Sequence, residues 1–355
     1  MSRFRVALSG DFRNPDGSPA YPMFDLGTLH AAGAEVAYVE PVDRVMPASG
    51  LAGFDALILL GARFEARSVP EDGRLAVVAR FGVGFDNVDT DACTRADIAL
   101  VTTPDGVRRP VAVSVITFML ALAGRLMDKD RLTRMGPAGW AQRSAYMGVG
   151  LTGRTFAQLG VGNIGAEVFR LLKPFDMRLI AHDPYCDPAL ARDLGVTLVG
   201  IETLFREADF LSISVPLNAE TRGLVNAERL AWMKPTAFLI NTARGPIVDQ
   251  KALTRALQER RIAGAGLDVF EEEPTAADEP LLTLDNVILA PHALCWTDEC
   301  FAGNGAVDVD AVLAVMRGEV PTRGLVVNRE VRHSPGWQAK LARLRAMRQG
   351  EVASA

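Results

Sequence analysis

The sequence predicts an α/β protein with two doubly wound parallel sheets, the second inserted into the chain of the first. Two separate series of short apolar runs alternate with helical or loop segments, a pattern typical of parallel sheets. The first series, from Phe4 to Val101, predicts five strands, and the second, from Thr155 to Leu289, predicts six. The chain then continues into a long segment, Phe301 to Arg317, which we expect to return as a helix to the first sheet.

This division gives the domain bounds. The first domain is predicted to contain residues 1–103 and 297–328, the inserted domain residues 104–296, and a basic C-terminal extension residues 329–355. A chain of 355 residues is long enough for two domains of about 100 to 200 residues each. In the extension, Ser334 and Pro335 predict the start of a helix. Trp337, Leu341 and Leu344 are spaced for one face, so we expect a solvated, packed tail helix, with an arm that reaches a neighbouring subunit as the alternative.

One predicted helix is apolar on nearly every face. Pro104 and Pro110 interrupt the chain before it, and its most apolar part, Val111 to Ala123, is shorter than the ~20 residues that cross a bilayer. We therefore expect a buried helix and no membrane segment. A two-fold contact between subunits would cover such a helix, so the chain is predicted to form a homodimer through Pro110 to Met127.

The composition excludes several classes of protein. The net charge is -5, with 49% hydrophobic and 23% charged residues, so the surface lacks the basic excess that nucleic acids require. The four cysteines form no C-x-x-C pair, which indicates reduced thiols rather than disulfides or a metal site. The first residues lack the pattern of a signal peptide. We expect a cytoplasmic protein that binds no metal, nucleic acid or membrane.

A glycine-rich turn follows the first apolar run of the second series. Gly160, Gly162 and Gly165 have the G-x-G-x-x-G spacing, and the segment after them has the periodicity of a helix. In this arrangement the first glycine permits a tight turn, the second lets backbone N–H groups approach a pyrophosphate, and the third lets helix and strand pack closely. A chance match in a chain with 32 glycines is the alternative, but strand, turn, helix and second strand are in register. The stretch therefore predicts a Rossmann-like dinucleotide site.

Asp183 ends the second strand of this unit, about 20 residues after the glycine turn. A carboxylate at that place can accept hydrogen bonds from the adenosine ribose hydroxyls and would repel a 2′-phosphate. Pro184, and not an arginine, follows it. The predicted cofactor is therefore NAD rather than NADP.

Three further segments place a charged residue just after an apolar strand, where ligands bind in nucleotide-binding folds. Arg244 offers a planar fork that suits a carboxylate. His292 can donate or accept the proton that accompanies hydride transfer, and Glu273 is the candidate to orient its ring. Singly, each residue has an ordinary explanation: a surface ion pair, a strand-end histidine, or part of a solvated acidic run. Their occurrence at three successive strand ends favours a catalytic site.

These segments and several others resemble the D-isomer-specific 2-hydroxyacid dehydrogenases, which include glyoxylate or hydroxypyruvate reductases and phosphoglycerate dehydrogenases. The resemblance runs from about Phe54 to Asn328 and implies an NAD-dependent enzyme that interconverts a 2-oxo acid and its D-2-hydroxy acid. It also implies that the NAD-binding domain is inserted into the substrate-binding domain. The matching motifs are RFGVGFDNVDTDAC (Arg80 to Cys93), GLTGRTFAQLGVGNIG (Gly150 to Gly165), HDPY (His182 to Tyr185), SVPLNAETRGLVN (Ser214 to Asn226), NTARGPIVD (Asn241 to Asp249), GLDVFEEEP (Gly266 to Pro274) and APHALCWTDE (Ala290 to Glu299).

The resemblance also implies roles for individual residues. Arg244 would bind the substrate carboxylate and polarise the carbonyl, His292 would be the acid and base, and Glu273 would be its partner. Amides of Val83 and Gly84 would help to bind the same carboxylate. The residues implied to hold NAD are Gly160, Gly162, Asn163, Ile164, Gly165, Asp183, Val215, Pro216, Thr242, Ala243, Arg244, Asp268 and the backbone from His292.

The sequence departs from the family pattern near the predicted pocket. Arg108 and Arg109 stand where the family has a small residue followed by VAE, and bulkier residues than usual follow His292. With Arg63, which follows an earlier strand, Arg109 could hold a polar or extended end of the substrate, as in hydroxypyruvate or a sugar-acid derivative. The alternative is that these arginines are surface charges.

Two other functions are compatible with such a fold. The first is an NAD-sensing corepressor that binds partner proteins, which the lack of a basic surface or a disordered interaction tail disfavours. The second is oxidation of formate or phosphite. Formate enzymes that resemble this chain carry glutamine where it has Glu273, so formate is the weaker of these two substrates.

Overall fold

The computed structural model describes residues 3–352 and divides into two compact units. The first unit contains the chain up to Val107 and from Thr297 onward, and the second unit is Arg108–Trp296. The first boundary therefore lies slightly beyond the predicted one. The C-terminal extension is part of the first unit rather than a separate segment.

The first unit is a six-stranded sheet with helices. Numbered along the whole chain, its strands are β1 (Arg5–Ser9), β2 (Glu35–Val39), β3 (Ala56–Leu59), β4 (Val77–Arg80), β5 (Ala99–Thr102) and β13 (Leu325–Val326). Its helices are α1 (Gly27–Ala31), α2 (Ala48–Leu51), α3 (Thr90–Arg95), α12 (Asp298–Met316) and α13 (Pro335–Val352). The strand order is β13-β5-β4-β3-β1-β2, and every pair is parallel except β13 with β5.

The second unit is a seven-stranded parallel sheet. Its strands are β6 (Thr155–Leu159), β7 (Arg178–His182), β8 (Thr197–Leu198), β9 (Phe210–Ile213), β10 (Phe238–Asn241), β11 (Gly264–Leu267) and β12 (Val287–Leu289). The helices are α4 (Pro104–Gly124), which contains the boundary between the units, α5 (Leu126–Arg134), α6 (Pro137–Trp140), α7 (Asn163–Leu172), α8 (Pro188–Leu194), α9 (Ile201–Glu207), α10 (Ala227–Trp232) and α11 (Gln250–Gln258). The strand order is β12-β11-β10-β9-β6-β7-β8.

Apolar clusters cover both faces of the second sheet. On β6, Phe156 packs in one cluster, while Ala157 and Leu159 pack in the other. Successive side chains of a strand point to opposite faces, so both faces of β6 are buried and the strand is mostly apolar. Its buried polar residue Gln158 donates a hydrogen bond to the carbonyl of Gly160 at 2.9 Å. Because the strands are parallel, their carboxyl ends lie along one edge of the sheet.

Two strands were not expected from the sequence. β8 (Thr197–Leu198) and β13 (Leu325–Val326) have two residues each, too few to show any periodicity. β13 pairs in the antiparallel direction with Val101 and Thr102 of β5. The sheets therefore have six and seven strands instead of the five and six predicted.

The apolar helix is longer than predicted. α4 has 21 residues, with Pro104 at its first position and Pro110 inside it. A proline at the first position lacks only an N–H that has no helical partner, and Pro110 forgoes a single backbone bond near the helix start. By length and composition alone α4 could cross a membrane, so the expectation that it is too short was wrong. However, 56% of its most apolar window is buried inside the protein, as in a core helix.

The C-terminal helix α13 packs against the rest of the first unit. Trp337 is fully buried, and its indole Nε1 donates a hydrogen bond to the carbonyl of Ala76 at 2.9 Å. Lys340 Nζ donates to three backbone carbonyls at 2.7–2.9 Å, and burial lowers its pKa to about 8. Arg343 donates to the buried carboxylate of Asp55 at 2.9 Å. The helix packs through Trp337, Leu341 and Leu344, all buried as the sequence predicts, and Lys340 and Arg343 are in addition bound within the same unit.

Candidate active site

The glycine turn after β6 depends on two of its glycines for steric reasons. Gly160 has φ +90°, and a Cβ there would lie 2.7 Å from the carbonyl oxygen of Ser214. A Cβ on Gly165 would lie 2.4 Å from the carbonyl oxygen of Gly160. The turn, the neighbouring strand and α7 can approach this closely only without side chains at these positions.

Gly162 differs from these two glycines. It is the N-cap of α7, directly before Asn163 and Ile164, and a Cβ there would meet no protein atom within 4 Å. Packing therefore does not require glycine at position 162. The N-terminus of a helix and its dipole favour an anion, so a pyrophosphate beside Gly162 is compatible with this geometry.

Asp183 lies beside the same turn. It follows β7, and its carboxylate accepts hydrogen bonds from the N–H groups of Val161, at 2.8 Å, and Tyr185, at 2.9 Å. The carboxylate thus fixes the glycine turn. The role of Asp183 as a ribose ligand stays a prediction, and its contact with the turn was not expected from the sequence.

The segments after β9 and β10 come to the same sheet edge. Val215 lies close to the turn, with its Cγ1 2.9 Å from the position of a Cβ on Gly160, and Pro216 follows it. After β10, the buried Asn241 accepts a hydrogen bond from the N–H of Ala243 and donates one to the carbonyl of Arg244, both at 3.0 Å. Asn241 therefore shapes the turn that contains Thr242, Ala243 and Arg244. The only sign of this role in the sequence is that Asn241 is a polar residue at the end of an apolar strand.

His292 and Glu273 form a hydrogen-bonded pair. His292 Nδ1 lies 2.7 Å from Glu273 Oε2, and Glu273 Oε1 accepts the N–H of Phe270 at 2.9 Å. The side chains are 42% and 32% exposed, respectively, so the pair is open to a ligand. Burial alone would raise the pKa of Glu273, but the hydrogen bond and charge of His292 outweigh burial, and Arg244 acts in the same direction. The pKa of Glu273 therefore lies below its usual value, and the carboxylate is ionised.

The backbone at His292 is in the left-handed region, with φ +55°. Such a conformation is uncommon for a residue other than glycine and is typical of functional sites. Asp268 holds the following residues, since its Oδ1 accepts the N–H groups of Ala293 at 3.0 Å and Leu294 at 3.1 Å. Asp268 is only 3% exposed, and burial raises its pKa. This support of the histidine loop was not expected from the sequence, which suggested only a contact with NAD.

Two of the proposed substrate-binding arginines have carboxylate partners in the structure. Arg63 lies 3.3 Å from Glu65 and donates to the carbonyl of Asp43 at 3.3 Å. Arg109 lies 2.5 Å from Glu167, a residue of α7. Each guanidinium is about half exposed and already compensated, so neither needs a substrate anion for charge balance. Their assignment to the substrate stays a prediction.

The other predicted substrate-binding residues, Val83 and Gly84, lie in the first unit, in the turn after β4. Gly82, which begins this turn, has φ +123°. Its N–H and carbonyl are both bonded to Thr103. The turn is therefore fixed from within its own unit.

The model of the NAD binding domain of the D-isomer specific 2-hydroxyacid dehydrogenases matches residues 116–293, half of the chain and most of the second unit. Several curated proteins of this kind are also similar over most of their length. The glyoxylate reductase of Korarchaeum cryptofilum is 40% identical over 288 residues, 80% of this chain and 86% of that protein. The chain belongs to the D-isomer-specific 2-hydroxyacid dehydrogenases.

Two other proteins show similarity over most of this dehydrogenase. The D-3-phosphoglycerate dehydrogenase of Methanocaldococcus jannaschii is 39% identical over 268 residues, 75% of this chain but only 50% of that protein. Among solved structures, the NADPH-dependent glyoxylate/hydroxypyruvate reductase of Sinorhizobium meliloti, in complex with NADP and malonate, has 29% identity and a TM-score of 0.76. That match covers 91% of this chain and 97% of the reductase.

Family membership confirms four of the expectations from the sequence: the family, the two-sheet α/β fold, the class of oxidoreductase, and a nicotinamide dinucleotide as cofactor. This dehydrogenase therefore acts with NAD or NADP. The roles of the individual site residues, the cytoplasmic location and the homodimer stay predictions.

Proposed function

We propose that this dehydrogenase reduces a small 2-oxo acid to the D-2-hydroxy acid with NADH. The observation that supports this most directly is the 2.7 Å contact between His292 and Glu273, beside the turn that contains Arg244. A histidine oriented by an ionised carboxylate is suited to proton transfer, and a nearby guanidinium is suited to a carboxylate substrate.

Each residue of the pair has a distinct task in the proposed reaction. The Glu273 carboxylate accepts a hydrogen bond from the Nδ1–H of His292 and stays ionised, so the ring is oriented with Nε2 toward the substrate and Nε2 gives its proton to the carbonyl oxygen. Arg244 binds the substrate carboxylate and polarises the carbonyl. Bound NADH supplies the hydride. Amides of Val83 and Gly84, in the first unit, are proposed to hold the carboxylate as well.

The proposed cofactor is NAD rather than NADP. Asp183 keeps a carboxylate beside the glycine turn, and this negative charge would repel a 2′-phosphate. The Sinorhizobium meliloti reductase binds NADP, so the choice between the two cofactors differs within the family and needs a measurement. Comparison of kcat/KM for NADH and NADPH is the test, and a preference for NADPH would contradict the proposed role of Asp183.

The proposed substrates are glyoxylate and hydroxypyruvate, in line with the names of the relatives. The sequence analysis favours a polar or extended substrate over pyruvate, although the ion pairs of Arg63 and Arg109 weaken this argument. A panel of 2-oxo acids with NADH, ranked by kcat/KM, tests the proposal. If no 2-oxo acid is reduced, the function is wrong. If pyruvate ranks first, or if Arg63→Ala and Arg109→Ala leave the ranking unchanged, these arginines belong to the surface.

We also propose that the enzyme is a homodimer. Several large apolar side chains of one stretch of the second unit are 43–78% exposed, and an interface between subunits would cover them. They are Val113, Leu120, Leu126, Met127, Met135, Trp140 and Met147. Sedimentation at micromolar concentration is expected to give a dimer, and Trp140→Glu is expected to weaken it. A monomeric wild-type protein would contradict this assignment.

A further inference from the structure

We propose that Thr103 and Asn304 are positioning residues, which hold the Gly82–Gly84 turn in the conformation that binds the substrate carboxylate. The inference rests on the proposed function, because that function assigns the amides of Val83 and Gly84 to the carboxylate. All these residues lie in the first unit.

Thr103 forms two hydrogen bonds with Gly82. The N–H of Gly82 donates to Thr103 Oγ1 at 2.8 Å, and the N–H of Thr103 donates to the carbonyl of Gly82 at 2.9 Å. Thr103 is fully buried, so water does not compete for these bonds. Gly82 has φ +123°, a conformation that is held by its surroundings rather than by its own preference. The side-chain hydroxyl of Thr103 therefore helps to fix the first residue of the turn.

Asn304 determines the direction of that hydroxyl. Thr103 Oγ1 has a single hydrogen, which it donates to Asn304 Oδ1 at 2.6 Å. With the hydrogen committed to Asn304, the lone pairs of Oγ1 are available to the Gly82 N–H. Asn304 is 2% exposed, and its Nδ2 donates in turn to Cys300 Sγ at 3.4 Å. The buried chain of contacts thus runs from α12 to the turn.

This contact requires α12 to pass very close to the segment after β5. A Cβ on Gly106 would lie 2.2 Å from Asn304 Oδ1 and 2.6 Å from the backbone nitrogen of Asn304. A Cβ on Gly303 would lie 3.2 Å from the Cα of Gly106. The two glycines allow Asn304 to reach Thr103, so the contact depends on a backbone geometry specific to this pair of segments.

The residue before the turn is supported by contacts other than those of Thr103, including the hydrogen bond from the N–H of Phe81 to the carbonyl of Leu59 at 2.9 Å. Phe81, just before Gly82, contacts the rings of Phe12, Phe24 and Phe301 at centroid distances of 5.1–5.3 Å. These contacts do not involve the Thr103 hydroxyl. Loss of the hydroxyl should therefore leave the fold intact and release only the amides of the turn.

The test compares Thr103→Val with Thr103→Ser, because valine removes the hydroxyl at nearly constant volume and serine restores it. Thr103→Val is expected to raise KM for glyoxylate by about tenfold, since it leaves a buried N–H unsatisfied, with a smaller change in kcat. Thr103→Ser is expected to stay near wild type. NADH affinity, measured by fluorescence titration, should be unchanged in both. Thr254→Val is the matched control, because Thr254 is a buried threonine of α11 in the second unit whose hydroxyl donates to Gln250.

A second readout does not depend on turnover. Backbone hydrogen exchange at residues 82–84 should be faster in Thr103→Val than in Thr103→Ser, and Asn304→Leu should give the same direction with a smaller effect. Equal exchange and equal KM in the valine and serine variants would overturn the inference. So would a serine variant as impaired as the valine variant. If the wild-type enzyme reduces no 2-oxo acid, the proposed function fails, and the exchange comparison still decides the role of Thr103 and Asn304.

Discussion

Each unit of this dehydrogenase has a glycine turn after a strand, but the two turns are stabilised differently. In the second unit the spacing of Gly160 and Gly165 is required within the turn, since a Cβ on Gly165 would lie 2.4 Å from the Gly160 carbonyl, and Asp183 holds the turn from the next strand end. In the first unit Thr103, 21 residues beyond Gly82, holds the Gly82–Gly84 turn and is itself bonded to Asn304, a further 201 residues along the chain. The glycine spacing of the first kind of turn is a motif in the sequence, whereas the contact with Asn304 becomes visible only in the folded chain.

The largest expected effect concerns the chemistry assigned to the second unit. His292→Ala should lower kcat by about 100 to 10,000-fold, the usual contribution of a general acid. NADH affinity should stay close to that of the wild type, because the glycine turn is unchanged. Stopped-flow reduction and fluorescence titration measure the two quantities. The exposed His30, in the first unit, provides the control His30→Ala. Turnover near the wild-type rate in His292→Ala would contradict the proposed mechanism.

In the Gly160–Gly165 turn, the glycine that permits close packing and the glycine proposed to admit the cofactor can be distinguished by substitution. Gly165→Ala should destabilise the fold by about 1–3 kcal/mol, because the new Cβ collides with backbone. Gly162→Val should lower the melting temperature less than Gly165→Ala, since a Cβ there meets open space and only the N-cap preference for glycine is lost, but should weaken NADH binding. Thermal denaturation and NADH titration of both variants distinguish these cases. A Gly162→Val variant that binds NADH as tightly as wild type would show that the cofactor does not approach this residue.

Glu273→Gln should change the pH dependence of reduction. In the wild type Glu273, whose pKa lies below the usual value, is ionised and accepts the hydrogen bond of His292 until the pH falls through that lowered pKa. Glutamine does not titrate, so the fall of kcat/KM on the acid side that protonation of Glu273 causes should be absent or smaller in Glu273→Gln, with some activity retained. An unchanged profile would mean that protonation of Glu273 does not limit the reaction at low pH.

The smallest expected effect concerns a buried acid of the first unit. Asp308 lies on α12 one turn beyond Asn304, and neither of its carboxylate oxygens has a hydrogen-bond partner in the described part of the chain. Burial raises its pKa, although the charge of Arg80 opposes the shift. When the pKa of an acid is higher in the folded state than in the unfolded state, its proton stabilises the fold at pH values below the unfolded-state pKa. This contribution is lost as the pH rises through the folded-state pKa.

Asp308→Asn should therefore increase the free energy of unfolding at pH 8 by more than about 1 kcal/mol relative to wild type, with little difference at pH 4. Urea denaturation at both values measures this difference. An equal effect at both values would show that proton binding by Asp308 is not responsible. The difference in free energy of unfolding at pH 8 also measures the cost of burying the ionised Asp308 carboxylate on α12.

The sequence was sufficient for features with a local cause. The glycine turn, Asp183, and the pairing of Glu273 with His292 follow from motifs and strand ends, and the structure brings these residues to the edge of one sheet. The supporting contacts of Asn241 and Asp268 were not predicted, because each depends on a backbone conformation that has no periodic signature. The two-residue strands were missed for the same reason.

The inward-facing side chains of α13 have a consequence for the order in which the protein is made. The carboxylate of Asp55, fully buried in the first unit, is bonded both to Arg74, a near neighbour in sequence, and to Arg343, which is synthesised 288 residues later. On the ribosome, the second unit is complete in the nascent chain before Trp337 and Arg343 exist to cover the first sheet. Until α13 is made, the carboxylate of Asp55 has only the N–H of Arg5 and the side chain of Arg74 as partners, without Arg343. The first unit is therefore completed only after the second unit has been synthesised, and a chain truncated before α13 would lack part of the first unit's core.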